Sequence, residues 1–522
     1  MPSTNIVRSG IAGSRGGRKN KMSLNLVLLT PRRRFIANRF GLGYQIPLGL
    51  VFLGGPLVDA GHQVRLIDND VLGWDDQDLI KELAQNPPDC ILIGHTASTA
   101  AHPAAMQTAQ ALKGAFEKAL LVYGGVFPSY AAQRVLVENL AIDVIVQGEG
   151  EETVLDLADT IKAGNSLATV RGITWRDHGA IRINPVRPAI EHLDRYRPGW
   201  ELVDWSAYHL FGFGRAAGMQ FSRGCTLKCT YCGQWSFWRR WRHRSPENVA
   251  GELEILVRDY GVRIVWFADE NFSANAEKAH QTLEAIAAKN LNLSLNLNMT
   301  AADVVRDADR LALYKQAGVD NIVMGVESLD DPTVERVGKN NPFEISQQAV
   351  RLLRQHGIVS LVNIIYGLED ETPATLRRTY RKVLELDADI LNAVYITPHF
   401  WTPLGRQTRP NQIIQPDQTY YTYRNQVVDT PQISPTKLFL AVKLTESFFH
   451  LRVQALWRMF TFPDARYRRI MRAYLASGFR VVLAEVWEFF FQTRRVPVGS
   501  LNKVPGFPLS TSFETVQKVF IE

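Results

Sequence analysis

The sequence is poor in cysteine, and its few cysteines are not spread out as a disulfide framework would be. Four occur in 522 residues, and three of them lie between Cys225 and Cys232. Thiols clustered in this way indicate metal or redox chemistry rather than cross-links between distant segments. The fourth, Cys90, begins an apolar segment and is predicted to be a small core residue.

Long apolar runs are also missing. No run reaches the roughly 20 residues that a membrane-spanning helix needs, and the N-terminus lacks the apolar segment of a secretory signal. We therefore expect a cytoplasmic protein without a transmembrane segment. Hydrophobic residues make up 46% of the chain and charged residues 21%, which excludes a largely disordered protein. Residues 1–22 are the exception and are predicted to be a disordered basic tail.

Short apolar segments alternate with segments of helical period in residues 23–165. Five strands are predicted there, at Leu24–Thr30, Gln63–Asp68, Cys90–His95, Ala119–Gly125 and Asp143–Gly148. This alternation predicts a doubly wound parallel sheet, whose ligands bind at the carboxyl ends of the strands. No G-x-G-x-x-G follows the first strand and no Walker lysine is present, which disfavours dinucleotides and nucleoside triphosphates. A purely structural domain remains an alternative.

A second alternation follows a linker at residues 166–215. Its strands are predicted at Met219–Ser222, Arg263–Asp269, Leu293–Met299, Asn321–Glu327, Leu361–Gly367 and Leu391–Pro398. Helices at Pro246–Tyr260 and Thr372–Leu386 lie between them. Six βα units in residues 216–405 predict an open (β/α)6 partial TIM barrel. Residues 406–522 are predicted to form a helical C-terminal region, so the fold class is α/β.

The three clustered cysteines form a C-x3-C-x2-C run at Cys225, Cys229 and Cys232. Three thiolates can hold three irons of a [4Fe–4S] cubane and leave the fourth iron open, whereas electron-transfer clusters use four cysteines. The alternative is a zinc-stabilised nucleic-acid-binding protein without catalysis, because the aromatic and arginine residues of 236–246 also suit bases. The spacing lacks the paired C-x2-C geometry of zinc sites, and we find no further nucleic-acid module. We therefore predict a cluster and no nucleic-acid partner.

The cysteine run, Tyr231 before its last cysteine and the βα array that follows together resemble the radical S-adenosylmethionine (SAM) superfamily. The resemblance implies that the open iron binds SAM and that the reduced cluster cleaves it to a radical, which makes the three cysteines the metal-binding and catalytic residues. It also implies SAM contacts near the cluster and at the ends of the later strands, at Tyr231, Asp269, Glu270, Asn298, Gly325 and Glu327. A strand-end cap or a salt-bridge partner is the alternative role for these residues.

The segments Val122–Gly125 and Gly148–Glu152, with Asp68 after the second strand, resemble the cobalamin-binding domain of class B radical SAM enzymes. The resemblance implies cobalamin contacts at His95, Thr96, Ser98, Thr99, Gly124, Gly125, Gly148, Glu149 and Gly150. The Asp-x-His-x-x-Gly motif that supplies a cobalt-ligating histidine elsewhere is missing from the sequence. His95 and His102 are candidates for a contact, with a structural role as the alternative.

The stretch Gln234–Arg239 resembles the anaerobic magnesium-protoporphyrin IX monomethyl ester cyclase group, as do Gly367–Thr372 and Ser477–Phe479. The resemblance implies a magnesium tetrapyrrole substrate of bacteriochlorophyll biosynthesis and a reducing partner such as ferredoxin or flavodoxin. Aromatic faces and guanidinium forks suit a flat anionic molecule. The candidate substrate contacts are Trp238, Arg239, Arg242 and His399. Oxidative cyclisation is the expected reaction, and radical methyl transfer or hydroxylation of a related or other lipophilic substrate is the alternative.

Overall fold

Two seven-stranded sheets carry the fold in the computed structural model. The structure describes residues 23–32, 45–95, 99–210, 214–329, 338, 342–493 and 495–496. The predicted tail 1–22 and the predicted cobalamin contacts Thr96 and Ser98 lie outside the described residues. No helix among the described residues is long and apolar enough to cross a membrane.

The first sheet has the order β2-β1-β3-β4-β5-β6-β7. Its strands are β1 (Asn25–Thr30), β2 (Gln63–Asp68), β3 (Cys90–Ile93), β4 (Leu120–Gly124), β5 (Val144–Val146), β6 (Ile173–Asp177) and β7 (Ala180–Ile183). Its helices are α1 (Leu48–Asp59), α2 (Asn69–Leu72), α3 (Asp76–Ala84), α4 (His102–Ala115), α5 (Val126–Glu138) and α6 (Glu151–Ala163). Strands β1 to β5 are parallel, and every residue of β1 and β3 is buried because helices cover both faces. The predicted doubly wound sheet is confirmed.

Strands β6 and β7 extend this sheet with an antiparallel hairpin drawn from the predicted linker. His178 and Gly179 join the two strands, and both have positive φ angles, of 44° and 88°. This is the backbone of a two-residue hairpin turn whose twist matches the strands. Trp175 is buried on β6 and donates its indole N–H to Asn184, which anchors the hairpin to the sheet.

The second sheet has the order β16-β15-β14-β13-β12-β9-β8 and is curled into an open half-barrel. Its strands are β8 (His209–Leu210), β9 (Gly214–Met219), β12 (Val262–Phe267), β13 (Ser294–Met299), β14 (Val319–Glu327), β15 (Val359–Tyr366) and β16 (Ile390–Tyr395). The strands are parallel except for β8, and β10 (Ser222–Arg223) pairs with β11 (Arg242–His243) as a small separate hairpin. The predicted partial barrel is confirmed.

The helices of this half are α7 (Gln234–Trp238), α8 (Pro246–Tyr260), α9 (Ala276–Lys289), α10 (Ala301–Arg306), α11 (Leu311–Gln316), α12 (Phe343–Gln355), α13 (Pro373–Leu386), α14 (Pro403–Gln407), α15 (Pro435–His450), α16 (Val453–Thr461) and α17 (Ala465–Trp487). Local chemistry explains where the predicted ones begin and end. Ser245 caps α8 ahead of Pro246, and Gly261 ends it in the left-handed conformation. Thr372 caps α13 in the same way.

Two sequence predictions for this half need correction. The first barrel strand was predicted at Met219–Ser222, but it lies earlier, at Gly214–Met219. Glycine and alanine in that strand have low strand propensity, and pairing with β12 overrides it. The C-terminal region was predicted to be helical from residue 406, yet residues 408–434 are mostly irregular before α15 begins.

Candidate active site

One large cavity joins the two sheets. Its volume is about 1070 Å³, and it runs from the carboxyl ends of the first sheet past the end of β12 and along the concave face of the second. The predicted site residues on its wall are His95, Gly124, Gly125, Gly148, Gly150, Trp238, Glu270 and Asn298. The structure thus brings the predicted cobalamin, SAM and substrate residues of two distant segments to a single space.

The cysteine loop lies between β10 and α7. Gly224, just before Cys225, has a φ of 103°, and a Cβ there would stand 2.5 Å from the Arg240 carbonyl, so only glycine fits. The Cys232 amide donates to the Cys229 carbonyl (3.2 Å), as does the Trp235 indole N–H (3.2 Å). These contacts turn the chain tightly between the last two cysteines.

The chemistry of the three thiols fits an iron–sulfur cluster. Burial raises the pKa of the Cys232 thiol to about 12, and the neighbouring Glu270, Cys229 and Cys225 also oppose its ionisation. A metal cluster with positive irons would supply the charge that three close thiolates need. Among the described residues, no three Cys, His, Asp or Glu side chains converge tightly enough to hold one metal ion.

Asp269 supports the cysteine loop from the end of β12. Its carboxylate accepts hydrogen bonds from the backbone N–H groups of Phe221 (3.0 Å) and Ser222 (2.5 Å) and from the Ser222 hydroxyl (2.6 Å). Burial raises its pKa to about 6 although these donors oppose the shift. Its side chain is buried and holds the backbone that leads into the loop, and its predicted SAM contact stays a prediction.

Glu270 and Asn298, by contrast, reach the cavity wall. Burial raises the pKa of Glu270 to about 7, and its carboxylate accepts the Trp238 indole N–H (3.2 Å). The Asn298 amide donates to the Asp269 carbonyl (2.9 Å), which fixes its orientation beside the loop. Both stay predicted SAM contacts, and the structure places them beside the cysteine loop.

Tyr231 and Glu327 meet at the other side of the cysteine run. The Tyr231 hydroxyl interacts with the Glu327 carboxylate and with Cys229, and burial raises its pKa. Glu327 ends β14 with a φ of 67°, in the left-handed region that a glutamate rarely adopts. Gly325 lies two residues earlier in β14, paired with Asn363 of β15. The predicted role of all three at the SAM site stays a prediction.

Four buried side chains form a second feature, which we call the glutamate–arginine clamp: Glu149, Glu151, Arg223 and Arg242. Arg223 bonds Glu149 (2.7 Å) and Glu151 (2.5 Å), and Arg242 bonds Glu149 (2.8 Å). Each side chain is between 5% and 7% exposed. Burial opposes ionisation of Glu149, yet the two arginines outweigh it and lower its pKa.

The clamp contains two residues with predicted ligand contacts. Glu149 was predicted to contact cobalamin and Arg242 to contact substrate, and here the two side chains bond each other, so both contacts stay predictions. Arg242 also donates to the Ile190 carbonyl (2.5 Å). Arg223 lies over the rings of Phe52 (5.2 Å) and Trp238 (5.3 Å). The clamp therefore ties the first sheet to the strand that leads into the cysteine loop.

His399 and Thr99 form another contact between the two halves. Thr99 Oγ1 lies 2.8 Å from His399 Nδ1, and Tyr423 Oη lies 2.7 Å from His399 Nε2. The imidazole stacks on Trp401 (4.7 Å), and burial lowers its pKa to about 4, so it is neutral. The two side chains therefore link the two halves of the molecule, and the predicted substrate contact of His399 and cobalamin contact of Thr99 stay predictions.

The remaining candidates fall into two groups. His95 reaches the cavity, with its Nε2 2.8 Å from the Tyr123 hydroxyl, whereas His102 is buried and stacks on Phe127. Arg239 is exposed at the end of α7, outside the cavity wall. The predicted cobalamin contact of His95 and the predicted substrate contact of Arg239 both stay predictions, and only His95 lies on the cavity wall.

Sequence reasoning missed much of the cavity wall. Helix α1 contributes Phe52 and Leu53, and the C-terminal helices α15 and α17 form the far wall. Asn363 and Asn392 face the cavity from neighbouring strands and bond each other (2.8 Å). Asparagine recurring inside otherwise apolar strands is the signal that could have revealed this polar stripe.

A second buried ion cluster lies in this far wall and is called here the C-terminal ion cluster: Arg424, Lys443, Glu446 and Glu485. Arg424 bonds Glu485 (2.5 Å) and Glu446 (3.2 Å), and Lys443 bonds Glu485 (2.7 Å) and Glu446. Arg424 also donates to Asn392 (2.8 Å). The cluster fixes α15 and α17 to the last strand of the barrel.

Known proteins are similar to this chain in sequence and in architecture. The family described as the Radical SAM superfamily matches residues 219–383, and the B12 binding domain matches residues 41–158. The anaerobic magnesium-protoporphyrin IX monomethyl ester cyclase of Synechocystis sp. is 38% identical over 487 residues, which cover 93% of this chain and 97% of that protein. The protein of the same name from Rubrivivax gelatinosus is 29% identical over 442 residues, covering 83% of this chain and 79% of that protein.

A solved structure shares the fold. It is the radical SAM methyltransferase TsrM from Kitasatospora setae, with cobalamin and a [4Fe–4S] cluster bound. The TM-score is 0.67 at 18% identity, covering 88% of this chain and 99% of that chain. The likeness shows that this chain and that enzyme share an overall fold.

Proposed function

We propose that this chain, which belongs to the family of the anaerobic magnesium-protoporphyrin IX monomethyl ester cyclases, closes the isocyclic ring of that magnesium tetrapyrrole by radical chemistry. It is a radical SAM enzyme with a B12-binding domain, so its cofactors are a [4Fe–4S] cluster, SAM and cobalamin. The zinc-protein alternative is therefore dropped.

The observation that carries the proposal is the continuity of the cavity. A space of about 1070 Å³ is contiguous with the glycine-rich strand ends of the first sheet, with Glu270 and Trp238 beside the cysteine loop, and with the concave face of the barrel. Cofactor sites that open into one space allow each cofactor to reach the same substrate. Small-molecule sites commonly lie at such junctions between domains.

The chain's own residues would prepare this space for radical chemistry. Cys225, Cys229 and Cys232 would hold the cluster, which supplies reducing power to cleave SAM and start hydrogen abstraction. Glu270, with a pKa near 7, can hold or release a proton at the cavity wall at neutral pH. Apolar strand residues also line this space, and their surface suits the ring faces of a tetrapyrrole.

The proposal includes a small electron-carrying protein as reducing partner, such as a ferredoxin or flavodoxin. It also has one competitor, radical methyl transfer to a tetrapyrrole or another lipophilic substrate. That reaction would use the same cofactors in the same cavity. The products separate the two, because cyclisation adds oxygen and closes a ring whereas methyl transfer adds one carbon.

The test is anaerobic reconstitution with iron, sulfide, SAM, cobalamin, a reductant and magnesium-protoporphyrin IX monomethyl ester. The expected product carries oxygen from labelled water and a closed ring, read by mass spectrometry. Cys229→Ala should yield no 5′-deoxyadenosine while the cobalamin spectrum persists. The matched control is Cys90→Ala, a buried core position away from the site, which should stay active. A methylated product, or full activity of Cys229→Ala, would contradict the proposal.

A further inference from the structure

The three C-terminal helices expose an unusual amount of apolar surface. Twelve of the eighteen exposed large hydrophobic side chains among the described residues lie in residues 440–491. They are Leu440, Leu444, Phe448, Leu451, Val453, Trp457, Phe460, Phe479, Leu483, Trp487, Phe490 and Phe491. Exposed apolar residues concentrated in this way mark an interaction site rather than ordinary surface.

These side chains recur at helical spacing on the outer side of each helix. On α15 they follow one another at intervals of three or four residues from Leu440 to Leu451, while the buried side of the same helix carries Leu438, Val442 and Phe449. On α17 the outer stripe runs from Phe479 to Trp487, opposite the buried Tyr467 and Tyr474. Each helix is thus apolar on two faces, and one of them has no packing partner among the described residues.

The stripes of α15 and α17 lie on neighbouring helices. Lys443 of α15 pairs with Glu485 of α17 at 2.7 Å, and Phe439 stacks on Phe489 at 4.0 Å. Helix α16 lies between the two in the chain, with Trp457 67% exposed. The helices therefore present several apolar stripes in one part of the surface, which we call the C-terminal face.

The exposed charged side chains of the C-terminal face have one sign. Residues 435–496 contain eleven Lys or Arg and four Asp or Glu, but Arg452 and Arg458 pair with Asp387, Arg466 pairs with Asp320, and Lys443 is buried against Glu446 and Glu485. The carboxylates are turned inward: Glu446, Glu485 and Glu488 are buried, and Asp464 pairs with Lys315. Cations such as Lys437, Arg472 and Arg480 stay exposed among the apolar stripes.

We propose that the C-terminal face docks on the surface of an anionic lipid bilayer. Tryptophan and phenylalanine on one side of a helix, with lysine and arginine beside them, are the composition of helices that lie in the membrane interface. Anionic headgroups attract the exposed cations, and the apolar stripes enter the acyl boundary. A second copy of the chain fits less well, because two faces of the same positive charge repel each other.

The cavity opens onto this face. Leu451 and Phe479 are both exposed and both line the cavity, at the ends of the stripes on α15 and α17. A ligand dissolved in the bilayer would therefore enter between these helices without crossing water. This consequence rests on the proposed function, since a lipophilic tetrapyrrole is the substrate that would use such an entrance, whereas docking itself does not depend on the reaction.

The experiment measures sedimentation of the full, cofactor-loaded chain with vesicles under anaerobic conditions. Vesicles of phosphatidylcholine mixed with phosphatidylglycerol are compared with vesicles of phosphatidylcholine alone. The chain should bind the anionic vesicles, and added salt should weaken binding. Arg472→Gln and Arg480→Gln should each lower the partition coefficient about fivefold, and the double variant Trp457→Asp with Trp487→Asp should remove binding.

The matched control is Val137→Asp with Leu140→Asp, which places the same charges at exposed apolar positions on and just after α5, in the first half of the chain. It should bind vesicles as the unchanged chain does. Unaltered melting temperatures and cobalamin spectra establish that all the variants are folded.

Four results would overturn docking. The first is equal loss of binding in the control variant, and the second is no binding by the unchanged chain. The third is a concentration-dependent dimer that the tryptophan variant dissolves, without vesicle binding, because the face is then an interface between copies. A chain ended after Val496 that binds when the full chain does not would show that residues 497–522 cover the face, which also overturns it. Turnover of detergent-dissolved substrate tests the proposed function separately.

Discussion

The molecule contains two buried ion clusters that differ in how their charges are paired. One is the glutamate–arginine clamp, formed by Glu149, Glu151, Arg223 and Arg242, and the other is the C-terminal ion cluster, formed by Arg424, Lys443, Glu446 and Glu485. Each balances two cations against two carboxylates, as burial of charge requires. In the clamp, Arg223 lies over two aromatic rings, and the glutamates of the segment after β5 bond the arginines of the β10–β11 hairpin. In the C-terminal ion cluster, both carboxylates bind both cations, and the partners fix two helices to the barrel.

The difference lies in what remains when one member is removed. Without Glu149, Arg223 keeps Glu151 and Arg242 keeps the Ile190 carbonyl. Without Arg424, Lys443 alone faces Glu446 and Glu485. We therefore expect damage to the clamp to disturb the position of the cysteine loop, and damage to the C-terminal ion cluster to reduce stability.

The largest effect on stability is expected for Arg424→Gln. Two buried carboxylates would share one cation, and uncompensated buried charge costs about 3–5 kcal/mol of unfolding free energy. Denaturant unfolding followed by tryptophan fluorescence measures the loss. The control is Arg258→Gln, which breaks a pair with Asp259 between side chains 65% and 41% exposed and should change stability little. Equal losses in the two variants would contradict the prediction, because removal of a buried cation would then cost no more than removal of an exposed one.

Glu149→Gln should reduce activity more than it reduces stability. We expect a smaller loss of stability than for Arg424→Gln, but a fall of about tenfold or more in SAM cleavage, because displacement of a catalytic loop is costly. Rates of 5′-deoxyadenosine formation and melting temperatures measure the two effects. Glu152→Gln changes the neighbouring carboxylate, whose partners Arg187 and Arg195 lie outside the clamp, and should leave the rate unchanged. An unchanged rate in Glu149→Gln would contradict a positioning role for the clamp.

The smallest expected effect is the loss of folding stability at acidic pH that comes from single buried carboxylates. Burial opposes ionisation of Glu149 and Glu446, but their cationic partners prevail and lower both pKa values. A lowered pKa gives stability that is present above the unfolded value near 4.3 and is lost as the pH falls toward the folded value. Melting temperatures should therefore drop between about pH 5 and about pH 3, and Glu149→Gln should lose less over that interval. A steeper loss in the variant would reverse the assigned sign.

Local patterns in the chain predicted most of the strands and the cysteine site. The strand at Gln63–Asp68 has the predicted bounds, and α8 begins and ends at its predicted residues because Ser245 and Gly261 act through neighbouring backbone. Strand β9 was misplaced, because its glycines and alanines carry no strand signal and pairing with β12 decides their conformation.

The bonding partners of the side chains at the site could not be predicted from the sequence. Glu149 resembled a cofactor contact and Arg242 a substrate contact, and nothing near either residue in sequence indicates that they bond across 93 positions. His399 was assigned to substrate, yet its partner Thr99 lies 300 residues away. A buried polar group takes whichever partner the tertiary structure offers, since leaving it unpaired is costly.

The sequence by itself determined the two βα arrays and the three cysteines on one loop, because short-range spacing sets strand and helix formation and places thiols that are close in the chain close in space. Tertiary structure alone decided that the sheets share one cavity, that Glu149 and Arg242 hold each other, and that three C-terminal helices turn their carboxylates inward and leave arginines and tryptophans outside. These outcomes depend on charges and apolar faces meeting across long stretches of chain, and such meetings follow from packing rather than from local pattern.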